Sequence, residues 1–548
     1  MTKIVFKDYP QGQITLFPAS LDEKIPANAS VRLVNQIVDN LDIRKVIETY
    51  RGGGTSSYHP RMMLKLLLFA YLNNIYSCRK IEKQTLENIH YMWLSGMQEP
   101  DHNTINRFRS SHLKDTINEI FTQVVIMLVE MGHLSLEVVY VDGTKMESRA
   151  NRYSFVWRKS VEKNKAKLEA KIRQVLEQVE EGITEDNRPD EAPPTPINSE
   201  ELKERIAQIN RENLSKEEKK AVKVLEDSHL PKLQEYEQHL ATLGNRNSYS
   251  KTDRDATFMR MKDDHMKNGQ LKPAYNVQIG TENQFFTHFE FFPNPTDFLT
   301  FIPFNTGFEQ RYGKMPVKEV ADSGYGSEEN YEFMQNNYIE AFVKYPFFHA
   351  EQKEKYKNNA FLPQNLYYNA EKEYFVCPMG QPMEKVGNST RKSESGFISH
   401  ITSYEAKNCA GCPLKCLCFK AKGNRSIEIN HKLNQFRRNA RELLTSEEGL
   451  VHRSRRPIEP EAVFGQTKAN KQYDRFRHFG GDKVKMDFAI FAIAFNIGKL
   501  HNKTRNSSKH QKKSPKEASY TMFCVILFLV SKGTSTQNLC AQSTKLAA

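Results

Sequence analysis

The sequence predicts an α/β protein: a mixed sheet flanked by helices, preceded by an all-helical region and interrupted by a helical-hairpin excursion and a cysteine-rich one. Three observations carry this prediction. Strand-like and helical runs between residues 134 and 345 follow a β…ββαβαβ order, closed later by a helix opening near Glu461. Apolar residues recur at helical spacing over 26–130. Two stretches leave the pattern, one charged and helical, the other gathering five cysteines between residues 377 and 418.

Composition limits the possibilities. At 548 residues the chain exceeds what one compact core organises. Its 39% hydrophobic and 26% charged residues are a normal globular balance. A formal charge of +13 and a pI near 9.1 favour a polyanionic partner, because cationic surface releases counterions condensed on phosphates. The opening MTKIVFKDYPQGQ lacks the pattern of a secretory signal. The apolar run 522–530 falls far short of the roughly 20 residues that span a bilayer, so no membrane is expected. Eight cysteines then read as thiols of a reducing compartment, and their cluster as a metal site rather than a disulfide framework.

Residues 1–130 read as a helical DNA-binding domain. His59-Pro60 is a helix start, and PDHNTINRFRSSHL supplies a turn at Pro100-Asp101 and an N-cap at Asn103 or Thr104. The helix that follows bears Asn106, Arg107 and Arg109, side chains suited to meeting DNA; an ordinary helical bundle with exposed arginines is the plain alternative. Residues 131–157 hold the first core strand, LEVVYVDGTK. Residues 158–250 leave the core as a helical arm folded back on itself. There Leu168, Ile172, Val175 and Val179 keep one face, and Val222, Leu225, Tyr236, Leu240 and Leu243 keep a similar phase that Pro231 interrupts. The acidic, proline-rich linker 182–198 is expected to be disordered.

The core resumes over 251–345 with KPAYNVQIGT and QFFTHFEFFP, a helix near 298–312, the strand VKEVAD, a helix near 327–337 and the strand YIEAFVKY. Residues 346–455 form the cysteine-rich excursion, 456–503 the final core helices, and 504–548 a basic, disordered tail.

Three acids stand where elements meet turns: Asp142 in YVDGTK, Asp322 in VADSGYGS, and Glu461 opening EAVFGQTK, where Gly465 and Lys468 recur on its face. Each alone reads as a turn or helix-start residue. Together they suit hard divalent cations. Two Mg²⁺ about 3.5–4 Å apart, with Mn²⁺ able to substitute, would activate an oxygen nucleophile and stabilise the leaving oxygen of a phosphodiester. Lys468 suits a phosphate near the scissile bond.

YVDGTKMES, PAYNVQIGTEN, ADSGYGSEEN and IEPEAVFGQTK followed by YDRFRHFGG, in this order and spacing, resemble bacterial insertion-sequence transposases of the DDE class. The resemblance runs from about 15 to 500. It implies a ribonuclease H-like catalytic core shared with retroviral integrases, Asp142, Asp322 and Glu461 as metal-binding catalytic acids, and two or more protomers on paired DNA ends. It further implies an enzyme of the bacterial cytoplasm, at the nucleoid, that cleaves its element's ends and transfers them to target DNA. Many relatives carry an arginine four residues before the glutamate; here Pro457 stands there, with Arg456 displaced by one and expected to contact DNA, and Glu459 offers a competing carboxylate.

Four of Cys377, Cys409, Cys412, Cys416 and Cys418 can hold a structural Zn²⁺, the set without Cys418 being a first choice; reduced, partly buried thiols are the alternative. Tyr473, Arg475, Phe476, Arg477 and His478 either line a DNA path or pack their aromatics beneath exposed arginines. Two other functions stay open: a metal-dependent nuclease without strand transfer, and an inactive DNA-binding derivative of a transposase.

Overall fold

The computed structural model describes residues 20–51, 56–180, 197–209, 214–261 and 269–511. Most of the linker expected at 182–198, and the tail from 512 onward, lie outside the described residues. The chain divides into two compact units, one of residues 1–134 and 486–548, the other of 135–485.

The first unit is helical. His59 caps the helix Pro60–Leu72 by accepting from the Arg61 amide at 3.2 Å, with proline at the position where its missing N–H costs nothing. The helix His102–Arg107 is capped by Asp101, which accepts from the Thr104 amide at 2.7 Å, not by Asn103 or Thr104. An aspartate just outside the first turn reaches the third amide, whereas a residue already inside it cannot. Among the described residues no helix is long and apolar enough to cross a membrane.

The second unit is built on a mixed sheet. In chain order the strands are β1 (Val138–Glu147), β2 (Phe155–Trp157), β3 (Ser248–Ser250), β4 (Thr257–Arg260), β5 (Leu271–Glu282), β6 (Phe285–Phe292), β7 (Lys318–Ala321) and β8 (Glu340–Val343). The sheet runs β4-β5-β1-β7-β8, and β6 shares with β4 the outer edge of β5. β1, β5 and β6 are antiparallel neighbours, while β1, β7 and β8 are parallel. Val139, Tyr140 and Val141 are all buried, as a central strand covered on both faces requires. Between β2 and β3 the arm closes around Ile172, Leu176, Val179, Leu202, Leu225 and Leu233. Pro231 does not break the arm: a π-helical turn, Leu225–His229, precedes it and keeps the chain winding.

The excursion after β8 contains a five-stranded antiparallel sheet that the sequence reading missed, β9 (Tyr367–Asn369), β10 (Tyr374–Val376), β11 (Pro382–Lys392), β12 (Ile398–Ala406) and β13 (Ser426–Ile429). Its strands hide because β11 is exposed over nearly its whole length and so carries no alternating pattern. The chain then returns through His431–Thr445, Glu447–Arg455 and the turns to Asn470.

Glu319 on β7 is wholly buried, with one carboxylate oxygen accepting from Asn305 Nδ2 at 3.2 Å and the other without a partner. Burial pushes its pKa from 4.5 up to about 8. Between those values the folded chain keeps a proton that the unfolded chain has lost, so stability falls as pH rises across the window. Glu319→Gln is expected to remove this dependence and to stabilise the protein at pH 8 by about 2–4 kcal/mol. Urea unfolding at pH 5 and pH 8 checks it: equal midpoint shifts at both pH values would refute the assignment.

Candidate active site

The register of the parallel strands aligns the first two acids. Tyr140 on β1 pairs with Val320 on β7, and Asp142 and Asp322 each stand two residues further on. Neighbouring strands are about 4.8 Å apart, so two side chains at one level and in one phase face the same space. Asp142 lies inside β1 opposite Ile279 of β5, while Asp322 leaves β7 in extended conformation and opens the turn Ser323–Tyr325.

Glu461 comes from a π-helical turn, Pro457–Glu461, that follows the helix Glu447–Arg455. Pro460 cannot donate to the Arg456 carbonyl and its ring crowds it, so the winding loosens, and the Ala462 amide reaches back five residues to Pro457. In an α-helix Arg456 and Glu461 would point about 140° apart; the wider turn puts them on one face. The one-residue displacement of the arginine is thereby absorbed. Arg456 Nη1 donates to Glu461 Oε1 at 2.7 Å, and its Nη2 lies 3.3 Å from Asp142 Oδ1 and 3.7 Å from Asp322 Oδ2. Acids remote in sequence thus meet on a single guanidinium. That side chain is 7% exposed, against 16% for Asp142, 47% for Asp322 and 51% for Glu461. Glu459, the competing carboxylate, is buried and accepts from the Gln284 amide at 2.7 Å, which ties it to the β5–β6 turn.

Two lysines flank the group. Lys468 Nζ donates to Thr144 Oγ1 at 2.8 Å, two residues along β1 from Asp142. Lys344, just past β8, lies 3.9 Å from Asp322; burial holds its ammonium below the ordinary lysine value while Asp322 pulls the other way.

Behind the acids lies a polar layer that sequence reasoning missed. Asp297 Oδ1 accepts from Asn276 Nδ2 and Gln278 Nε2, each at 2.9 Å, and Tyr325 donates to Gln278 Oε1. Burial, then Asp297 and Asp142, raise the Tyr325 phenol well above its usual range, so it stays a donor. Gly143 has no room for a side chain: a Cβ would stand 2.2 Å from Gln278 Nε2 and 2.9 Å from Asp297 Oδ1. Asn276 and Gln278, polar residues at alternate positions between the apolar Val277 and Ile279 of β5, were the available signal.

The residues expected to touch DNA divide. Asn106 and Arg107 are exposed. Arg109 is not: it is buried against Tyr71 and Asp487, which corrects its assignment to a DNA-reading surface. Arg475 donates to the carbonyls of Ser148 and Arg149, and Arg477 lies over the Tyr473 ring. Tyr473 and Phe476 are buried, so their rings serve the core and do not stack on bases. Of the cysteines, Cys377, Cys409, Cys412 and Cys418 line one small cavity of about 20 Å³, and Cys416 is exposed. Residues two apart on the turn Lys415–Cys418 face opposite ways, so the fold gathers Cys418 in place of the Cys416 of the first-choice set. Arg425 donates to the thiols of Cys418 and Cys409.

Among the described residues no group of three or more His, Cys, Asp or Glu side chains is placed to hold a metal ion. For zinc the thiols do not close into a chelate. For a hard divalent ion the donor chemistry of Asp142, Asp322 and Glu461 is right, and Arg456 stands among them.

Comparison with known families gives two matches. The family described as transposase DDE domain matches residues 376–501, which include Glu461 and Lys468 but neither aspartate. A second family, described as transposase domain, matches 19–111, within the helical unit. No curated protein matches the chain.

Proposed function

We propose that this chain, which its two family matches support as an insertion-sequence DDE transposase, binds the ends of its own element, cleaves them and joins them to target DNA. The observation that carries the reading is the meeting of Asp142, Asp322 and Glu461 on one guanidinium at one end of a mixed sheet. Its strand arrangement, three antiparallel neighbours continued by two parallel ones, supports a ribonuclease H-like core. Divalent ions, Mg²⁺ in this proposal, supply when bound an activated oxygen nucleophile and neutralise charge at phosphorus.

The protein's own groups do the rest. Asp142 and Asp322 present carboxylates from adjacent strand ends, and Glu461 adds a third from the helix above. Lys468, held over β1 by Thr144, offers a point charge to a phosphate close to Asp142. Asp297, Gln278 and Tyr325 fix the floor beneath the aspartates. Exposed Asn106 and Arg107 contact end DNA from the helical unit. Two or more protomers on paired ends, acting at the nucleoid, complete the reading.

Incubating the purified chain with Mg²⁺, pre-cut element ends and a target plasmid tests it. Joined end–target products are expected. Ends that are only shortened would make the protein a nuclease, and ends left intact but bound would make it an inactive DNA-binding derivative.

A further inference from the structure

We propose that Arg456 is a resident counter-cation of the acidic site, occupying the space that divalent ions need, so that metal enters only as the guanidinium leaves. This rests on the reading of Asp142, Asp322 and Glu461 as metal ligands.

The geometry of the arginine is that of a placeholder. Its two terminal nitrogens are shared among three carboxylates, and its buried Nε has no hydrogen-bond partner. An orphaned buried donor costs stability. The grip is also uneven. The 2.7 Å contact with Glu461 is a charge-assisted hydrogen bond, while 3.3 Å and 3.7 Å to the aspartates exceed the usual 2.7–2.9 Å of such bonds.

Charge points the same way. Three carboxylates set against Arg456, Lys344 and Lys468 leave no net negative charge, a poor match for a divalent pair. Releasing Arg456 restores the deficit that hard cations seek. Once free of the acids, its planar fork suits a phosphate oxygen pair.

Calorimetric titration of the full chain with Mn²⁺, without DNA, separates the possibilities. If the arginine-free arrangement is about one-tenth populated, removing the competitor tightens binding about tenfold. Arg456→Gln is therefore expected to bind Mn²⁺ about tenfold more tightly than the wild type, to unfold at lower temperature without metal, and to regain that stability when Mn²⁺ is added. Arg456→Lys, whose point charge grips fewer carboxylates, should fall between the two and serves if the glutamine variant does not fold. Affinity unchanged or weakened in both variants would overturn the proposal and leave Arg456 a clip that orders the acids. Asp142→Asn controls the premise. Loss of Mn²⁺ binding in Asp142→Asn alongside unchanged affinity in the arginine variants sinks only the placeholder, whereas wild-type binding in Asp142→Asn sinks the acid-site reading with it.

Discussion

Replacing Asp142, Asp322 or Glu461 by its amide is expected to reduce cleavage of element ends by about a thousandfold or more, while binding to those ends persists. The amide keeps the size and most hydrogen-bonding capacity of the carboxylate but loses the charge and the hard oxygen pair that a divalent ion takes. The three variants should differ in their side effects. Asp142 lies within β1 and is the least exposed, so Asp142→Asn alters a packed position. Asp322 and Glu461 are half exposed, and their amides should unfold within about 0.5 kcal/mol of the wild type. Gel-shift binding and thermal unfolding, run beside the cleavage assay, separate lost chemistry from lost structure. Glu459→Gln is the sharpest companion. Its carboxylate serves the Gln284 amide, which an amide oxygen can still do, so cleavage should stay near the wild-type rate. A dead Glu459→Gln with an active Glu461→Gln would move the third acid two residues.

What the sequence could tell about this site follows from what fixes each part. The aspartates were legible because a short apolar strand ending in a polar turn is a local pattern, and parallel register then aligns them without further information. Glu461 was singled out by its phase with Gly465 and Lys468, although Gln466–Asn470 winds as a π-helical turn. Arg456 looked out of phase with Glu461 because helical phase assumes 3.6 residues per turn, and Pro457 and Pro460 locally abolish that assumption. Asp297 was invisible for a different reason: its role is set by Asn276 and Gln278 reaching across from β5, contacts with no trace in its own neighbourhood. The five-stranded sheet after β8 was lost because exposed strands carry no burial pattern. Of these three, two are local, a proline-loosened turn and a strand with almost no buried face; only the Asp297 case is one of tertiary packing.

Arg109 is the clearest example, and its replacement gives the largest expected effect on stability. On sequence it stands with Asn106 and Arg107 on a helix that looks made for DNA. In the structure a π-helical turn, Phe108–His112, carries it inward. Its Nη1 donates to the Tyr71 hydroxyl at 2.9 Å and the Tyr76 carbonyl at 3.3 Å, its Nη2 donates to Asn106 at 3.2 Å, and Asp487 lies 3.8 Å away. Tyr71 in turn donates to Asp487, which is fully buried. Arg109→Ala therefore strands a buried carboxylate without its cation and opens a cavity beside it. The expected cost is about 3–5 kcal/mol, because breaking one half of a buried pair exposes the full desolvation penalty of the other. Adding Asp487→Asn should recover part of that loss, since the remaining partner no longer carries charge. Arg107→Ala, by contrast, removes an exposed side chain and should change stability by less than about 0.5 kcal/mol while weakening DNA binding. Urea unfolding of the full chain and a salt-dependent binding titration read the two effects separately. If Arg109→Ala unfolded like the wild type but bound DNA poorly, the buried network would not be what holds this side chain, and the helix would face DNA after all.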